Sequence, residues 1–75
     1  MEIYSNNNGD SGVSGYQIGS DFIWVQFSTG RIYEYTYSSA GTSNIEAMKS
    51  LARTGSGLNG FINSYVKNRY SRKIN

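Results

Sequence analysis

Hydrophobic positions along this chain follow two different periods, and the change between them falls near residue 40. In residues 13–37, β-branched and aromatic side chains alternate with polar ones, and the stretches IGSD and STG interrupt the alternation. A period of two broken by turn residues is typical of short β-strands joined by tight turns. The pattern predicts three strands in an antiparallel meander.

The first predicted turn lies at Gly19 and Ser20. Glycine followed by a small polar residue is typical of a two-residue type II′ turn, in which the glycine has a positive φ. This turn would place Gly15 opposite Trp24, so that the indole covers a stretch of bare backbone.

The second turn decides which side chains face the core, because a slip of one residue exchanges the two faces of a strand. A two-residue loop would place the β-branched Thr29 at positive φ, which is sterically unfavourable. A three-residue loop over residues 28–30, with Gly30 in the left-handed conformation, avoids this and pairs Val25 with Tyr33. We therefore expect the three-residue loop.

This register sorts the strand residues onto two faces. The core-facing set is aliphatic and aromatic: Ile23, Val25, Phe27, Tyr33, Tyr35 and Tyr37. The outer set mixes apolar and polar side chains: Phe22, Trp24, Gln26, Ile32, Glu34 and Thr36.

A helical period follows residue 41. Ser43 and Glu46 match a capping box, in which each side chain bonds the backbone N–H of the other, so a helix is predicted to begin at Ser43. Lys49 and Arg53 would then point to solvent, and the helix would end near Gly55. The apolar positions of this helix are Ile45, Met48, Leu51 and Ala52.

A second amphipathic helix is predicted from a longer apolar stripe with helical spacing: Leu58, Phe61, Ile62, Tyr65 and Val66. The predicted element order is β-β-β-α-α. Because a sheet must bury its apolar face, we expect an α+β fold in which both helices pack on one face of the three-stranded sheet. The other sheet face would stay open.

The length of 75 residues limits the chain to one small domain. Residues 5–12 are polar or glycine, so we expect residues 1–12 to be a flexible lead-in and residues 13–75 to be the domain. No disulfide can support the core, because the chain has no cysteine. No apolar run approaches the roughly 20 residues of a membrane span, and we expect a soluble, cytoplasmic protein without a membrane partner.

Catalysis has few candidate residues here, since the chain has neither histidine nor cysteine. The two carboxylates of the predicted sheet, Asp21 and Glu34, would project to opposite faces and could not flank one substrate. We expect no catalytic residue, no metal and no cofactor.

The stretch GSGLNG at residues 55–60 has the spacing of a dinucleotide-binding fingerprint. That fingerprint needs a preceding strand and an acidic residue about 20 positions later, and this chain has neither. We interpret Gly55 and Gly57 as a turn between the two helices. A single phosphate on the exposed amides of the following helix stays open as an alternative.

Charge is uneven along the chain, although the net charge is only +2. Residues 1–46 hold one basic and five acidic residues, whereas residues 47–75 hold six basic residues and no acidic one. Such asymmetry favours a nucleic-acid or other acidic partner. The alternative is that the two halves complement each other within the fold.

The run KNRYSRK places an aromatic ring among four cations at the end of the predicted second helix. Cations neutralise phosphates and aromatic rings stack on unpaired bases, so RNA is the favoured partner, with Trp24 as a second stacking surface. The candidate nucleic-acid-binding residues are Lys67, Arg69, Tyr70, Arg72, Lys73 and Trp24. Alternatively, the run is a solvated helix end whose cations interact with the helix dipole.

A second hypothesis uses the open sheet face. An outward tryptophan in a small domain often marks an interface, so Phe22, Trp24 and Ile32 are candidates for protein interaction or self-association.

Three stretches, VSGY, VQFSTGRIYEY and GLNGFINSYVKNRY, resemble the KTSC domain family over roughly residues 11–74. The matching features are a Y-x-Y at Tyr33 and Tyr35 after a glycine turn, followed by a helix with an F-x-N element at Phe61 and Asn63. That family occurs at the C-terminus of some lysyl-tRNA synthetases and as free-standing small proteins. The resemblance implies a domain of unknown function, with RNA binding suggested by the synthetase association.

Overall fold

The computed structural model describes residues 1–7 and 12–75. The described strands are β1 (Glu2–Ile3), β2 (Val13–Ile18), β3 (Phe22–Phe27), β4 (Ile32–Thr36) and β5 (Arg72–Lys73). The described helices are α1 (Tyr37–Ala40), α2 (Thr42–Thr54) and α3 (Leu58–Phe61), and a π-helical turn at Ile62–Val66 continues α3.

The sheet is antiparallel throughout, with the strand order β1-β2-β3-β4-β5. The α+β class is confirmed, and the predicted meander forms its three central strands. The predicted strand number of three is wrong, because β1 and β5 extend the sheet at its two edges. Each edge strand has two residues, which is too short to produce a hydrophobic period in the sequence.

The second turn has the predicted three-residue loop. The N–H of Phe27 donates to the carbonyl of Arg31 at 2.8 Å, and Val25 lies opposite Tyr33. Gly30 has a φ of 95°, the left-handed conformation for which glycine has no steric penalty. The predicted register of β3 and β4 is therefore confirmed.

The first turn lies one residue further along than predicted. The N–H of Gly19 donates to the carbonyl of Phe22 at 3.0 Å, so the turn residues are Ser20 and Asp21. Gly19 does not have the positive φ of a type II′ turn. A Cβ at Gly19 would overlap the ring of Phe22, so glycine is needed here for close approach rather than for a special φ.

This shift changes the neighbours of the tryptophan. Trp24 lies opposite Gln17, and Gly15 lies opposite Gln26. The expectation that the indole covers the bare backbone of Gly15 is therefore wrong.

The hydrophobic core lies between one face of the sheet and the helices. Ile23, Val25 and Tyr35 of the predicted core face are buried, while Phe27, Tyr33 and Tyr37 pack around them with partial exposure. The buried set also contains residues from every helix and from both ends of the domain: Tyr4, Val13, Ala40, Ile45, Met48, Ala52, Leu58, Ile62 and Val66.

The capping box lies at α1 rather than at α2. Thr36 and Ser39 bond each other's backbone N–H, at 3.1 and 3.0 Å. Helix α2 follows Gly41, and no side chain caps it. The predicted box at Ser43 does not form, because the carboxylate of Glu46 accepts instead from the hydroxyl of Tyr37 and from Lys49.

Lys49 is buried, with 5% of its surface exposed, so its predicted solvent position is wrong. Its Nζ donates to the carbonyl of Ser20 at 2.9 Å and to Glu46 at 2.8 Å. A lysine can bury its aliphatic stem when its ammonium group finds acceptors at the far end. Lys49 thereby fastens the first sheet turn to α2.

The N-terminal segment belongs to the fold. Tyr4 is buried, and its hydroxyl accepts from the N–H of Leu58 at 3.2 Å. The N–H of Asn7 donates to the carbonyl of Gly55 at 2.7 Å. Residues 1–7 are therefore part of the domain rather than a lead-in to it, and residues 8–11 lie outside the described residues.

We predict that replacing Gly55 with alanine destabilises the domain more than replacing Gly57 does. Both glycines have positive φ, at 77° and 86°, which costs an alanine about 1 to 2 kcal/mol. A Cβ at Gly55 would also lie 2.6 Å from the Cβ of Ser5, whereas one at Gly57 would lie 3.6 Å from Leu51. With the added overlap, the loss for Gly55→Ala is about 2 to 4 kcal/mol.

Urea unfolding of the two variants measures this difference. Equal losses would contradict the packing of the N-terminal segment against the end of α2.

Candidate nucleic-acid interface

The basic run begins at a helix end, as the sequence predicted, with Lys67 as the C-cap of the π-helical turn, but it continues as a turn and then as an edge strand. Lys67 and Asn68 lie in a turn after the π-helical turn. The N–H of Arg69 donates to the carbonyl of Val66 at 2.8 Å and closes this turn. The chain then joins the sheet as β5, so the interpretation of a solvated helix end holds for Lys67 and is wrong for Arg72 and Lys73.

Tyr70 lies between the turn and the edge strand, and 42% of its surface is exposed. Its ring centroid is 4.7 Å from that of Tyr33 and 6.4 Å from that of Tyr35. Aromatic pairs at such distances stabilise one another beyond the burial of their area. The Tyr70 ring is therefore held on one side and open to solvent on another.

All four cations of the run are exposed. Within residues 1–7 and 12–75, the side chains of three of them, Lys67, Arg69 and Lys73, form no ion pair and no hydrogen bond. Lys73 lies opposite Tyr33 in the sheet, the residue whose ring contacts Tyr70. Each of the three cations lies within three positions of the fixed Tyr70 ring along the chain.

Arg72 differs from the other cations because it is paired with Glu34. Its Nε lies 3.1 Å from Glu34 Oε1, which also accepts from Ser71 Oγ at 2.7 Å. The other carboxylate oxygen accepts from the indole N–H of Trp24 at 2.9 Å. One carboxylate thus joins β3, β4 and the C-terminal strand on the outer face of the sheet.

The hydrogen bonds from Ser71 and Trp24, with a smaller contribution from Arg72, lower the pKa of Glu34 from 4.5 to about 2. Hydrogen bonds that favour the charged form of a carboxylate have this effect. The Glu34 side chain is only 14% exposed, so little water competes for these bonds. The sequence predicted that Glu34 lies on the outer face. It did not predict the bonds to Ser71 and Arg72, because the pairing of β4 with β5 leaves no pattern in the chain.

The predicted site residues lie on two sides of the sheet. Trp24 and Arg72 meet Glu34 on the outer face, whereas Tyr70 packs on Tyr33 and Tyr35, whose side chains point to the helices. Successive side chains of a strand alternate between faces. Trp24 and Tyr70 therefore do not form one stacking surface.

The residues predicted for protein interaction are half-buried. Phe22, Trp24 and Ile32 all lie on the outer face, and the rings of Phe22 and Trp24 are 5.9 Å apart. Because its N–H is bonded to Glu34, the indole of Trp24 is fixed in place.

Tyr65 is an exposed aromatic residue near the basic turn that the sequence placed in the apolar stripe. It is 62% exposed, and its ring lies 4.8 Å from that of Phe61. No signal in the sequence marks it, since its spacing from Leu58 and Ile62 is that of a buried position.

A second possible site lies at the other edge of the sheet. A cleft of about 600 Å³ lies beside the β1–β2 edge and is lined by Met1, Glu2, Tyr16, Gln17, Ile18 and Arg53. No described group of three or more histidine, cysteine or acidic residues could hold a metal ion. None of the described helices has the length and apolar character needed to cross a bilayer.

Comparison with protein-family models, with curated proteins and with solved structures found no match. The resemblance to the KTSC family therefore stays a prediction. The candidate site is therefore defined by the contacts, exposure and charge pairing of the residues described above.

We predict that Glu34→Gln removes part of the acid dependence of stability. The pKa of Glu34 is lower in the folded protein, so its charge stabilises the fold above about pH 4.5 and this stabilisation is lost as pH falls toward 2. The wild-type chain should lose about 2 to 3 kcal/mol from this group over that range. Urea unfolding at several pH values measures the loss.

Glu2→Gln is the matched control, because the Glu2 side chain makes no hydrogen bond within the described residues. Its unfolding free energy should follow pH as the wild type does. An unchanged acid dependence in Glu34→Gln would show that the outer-face network does not form in solution.

Proposed function

We propose that this domain is a non-enzymatic module that binds single-stranded RNA through its C-terminal segment, residues 67–73. The observation that carries the proposal is that three exposed cations, without an ion-pair partner among the described residues, lie within three positions of a fixed, partly exposed ring. The cations are Lys67, Arg69 and Lys73, and the ring is that of Tyr70.

Electrostatic attraction to phosphate supplies the first part of the binding energy. Exposed cations that form no ion pair among the described residues are free to replace the counterions of a nucleic-acid strand. Three phosphate contacts give a slope of about −2 for the logarithm of the binding constant against that of salt concentration. Binding through so few contacts is weak and should fall about 16-fold between about 50 and 200 mM salt.

Base stacking on Tyr70 supplies the second part. The ring is held by Tyr33 and Tyr35, so little side-chain freedom is lost when a base stacks on it. Stacking on an aromatic side chain is tolerant of base identity. The proposed site therefore prefers unstacked strands and has little sequence preference.

Trp24 and Arg72 act indirectly in this proposal. Both bind Glu34 and hold the edge strand in place, so they position Tyr70 and Lys73 rather than contact the strand. RNA is preferred to DNA because of the resemblance to the KTSC family, which also favours a cytoplasmic location.

Self-association through the outer sheet face is the competing proposal. Phe22, Trp24 and Ile32 are half-buried there, and the side chain of Ile3 on β1 is exposed. Two copies could bury these apolar groups against each other. In this case the C-terminal cations would have no role in the contact.

We predict that Arg69→Gln weakens RNA binding about fivefold near 0.1 M salt and makes the salt slope shallower by about 0.7, because one phosphate contact is lost. The measurement is fluorescence anisotropy with a labelled single-stranded RNA of about 15 nucleotides, at several salt concentrations between about 50 and 200 mM. A DNA strand of the same sequence tests the preference for RNA.

Arg53→Gln is the matched control, since it removes the same charge from the exposed side of α2, away from the basic turn. It should bind as the wild type does. Equal effects of the two substitutions would indicate general attraction by net charge and would contradict the site. No binding at low salt, together with a dimer mass in light scattering, would favour self-association instead.

A further inference from the structure

We propose that Tyr65, supported by Phe61, is a second stacking surface of the RNA site and that it selects unpaired bases. This inference rests on the proposed function and adds a residue that is absent from the basic run. It begins from the unexpected exposure of Tyr65, which is 62% accessible to solvent.

The π-helical turn explains this exposure. Leu58, Ile62 and Val66 are spaced four residues apart and are all buried. In the wider turn of a π-helix, residues four apart stay aligned, but a residue three positions along rotates further from the stripe than in an α-helix. Tyr65 follows Ile62 by three positions and is therefore turned out of the core. Such turns occur frequently at functional sites.

The exposed ring of Tyr65 has a partner that restrains it. The centroids of Phe61 and Tyr65 are 4.8 Å apart, and the ring planes are inclined by 40°. Phe61 is itself half-buried against the core. A ring held in this way offers a flat surface at low entropic cost.

Two cations of the basic run follow Tyr65 within four residues of the chain, Lys67 at the C-cap of the π-helical turn and Arg69 in the turn after it. Lys67 is two residues away, which is at most about 7.6 Å between Cα atoms. The hydrogen bond of 2.8 Å from the N–H of Arg69 to the carbonyl of Val66 brings Arg69 back to the same turn. An exposed aromatic surface followed by a turn that carries two cations, with no acidic group paired with them in the described chain, complements an anionic ligand.

An unpaired base of a nucleic-acid strand is the ligand that fits both features. Its phosphates meet Lys67 and Arg69, and its exposed π-face stacks on Tyr65. In a duplex the bases are already stacked on their neighbours and cannot reach the ring. The second surface therefore gives the domain a preference for single strands that the cations alone would not provide.

The test separates stacking from phosphate contact. The probes are a labelled single strand, the same strand with abasic sites in place of its bases, and the corresponding duplex. The wild-type protein should bind the intact strand about tenfold more tightly than the abasic strand. Tyr65→Leu keeps an apolar side chain next to Phe61 but has no π-face. This variant should bind the intact strand about fivefold more weakly than the wild type and should bind the abasic strand with unchanged affinity.

Tyr65→Trp is the control, because it restores an aromatic surface and should bind the intact strand at least as tightly as the wild type. Circular dichroism checks that each variant is folded, which is expected for a substitution at an exposed position.

Equal binding of the intact strand by Tyr65→Leu and the wild type would overturn this inference and leave the proposed function standing. Binding of the duplex as tightly as the single strand would overturn both this inference and the proposed stacking of a base on Tyr70. If the wild type binds no strand at low salt, the proposed function itself fails, and the inference fails with it.

Discussion

The position of the C-terminal segment depends on the hydrogen bonds that the carboxylate of Glu34 accepts. The carboxylate accepts hydrogen bonds from Ser71, Trp24 and Arg72 and thereby joins two central strands to the short strand β5. The pairing of β5 with β4 covers only two residues, and so short a pairing contributes little stability by itself. The hydrogen bonds to Glu34 supply what this short pairing lacks, and because they favour the charged form they lower the pKa of its carboxyl.

Strand β4 holds the C-terminal segment from both of its faces. Glu34 binds on the outer face, while the neighbouring Tyr33 and Tyr35 contact Tyr70 on the helix face. A chain without cysteine can thus anchor its last residues with one carboxylate and a group of aromatic rings. Three cations of the segment have no acidic partner among the described residues and remain available for an anionic ligand.

Sequence patterns predicted the elements that follow from local sterics and regular periods. The loop at Gly30, the pairing of Val25 with Tyr33 and the end of α2 at Gly55 were predicted for that reason. The two edge strands were not predicted, because a strand of two residues shows no hydrophobic period. The burial of Lys49 was not predicted either, because it depends on acceptors of which one, the carbonyl of Ser20, is distant in the chain. For the candidate site, the basic run was visible in the sequence. The sequence did not show that Trp24 and Tyr70 lie apart, because this depends on the β4–β5 pairing. It did not show the exposure of Tyr65 either, because this depends on the π-helical turn.

A two-dimensional amide NMR titration of the domain with a short single-stranded RNA tests the central claim most directly, because it reports every backbone position at once. The account predicts that the amides of residues 61–73 shift on binding, while those of Phe22, Trp24 and Ile32 on the outer sheet face do not. Shifts centred on Phe22, Trp24 and Ile32, or no shifts at low salt, would contradict it.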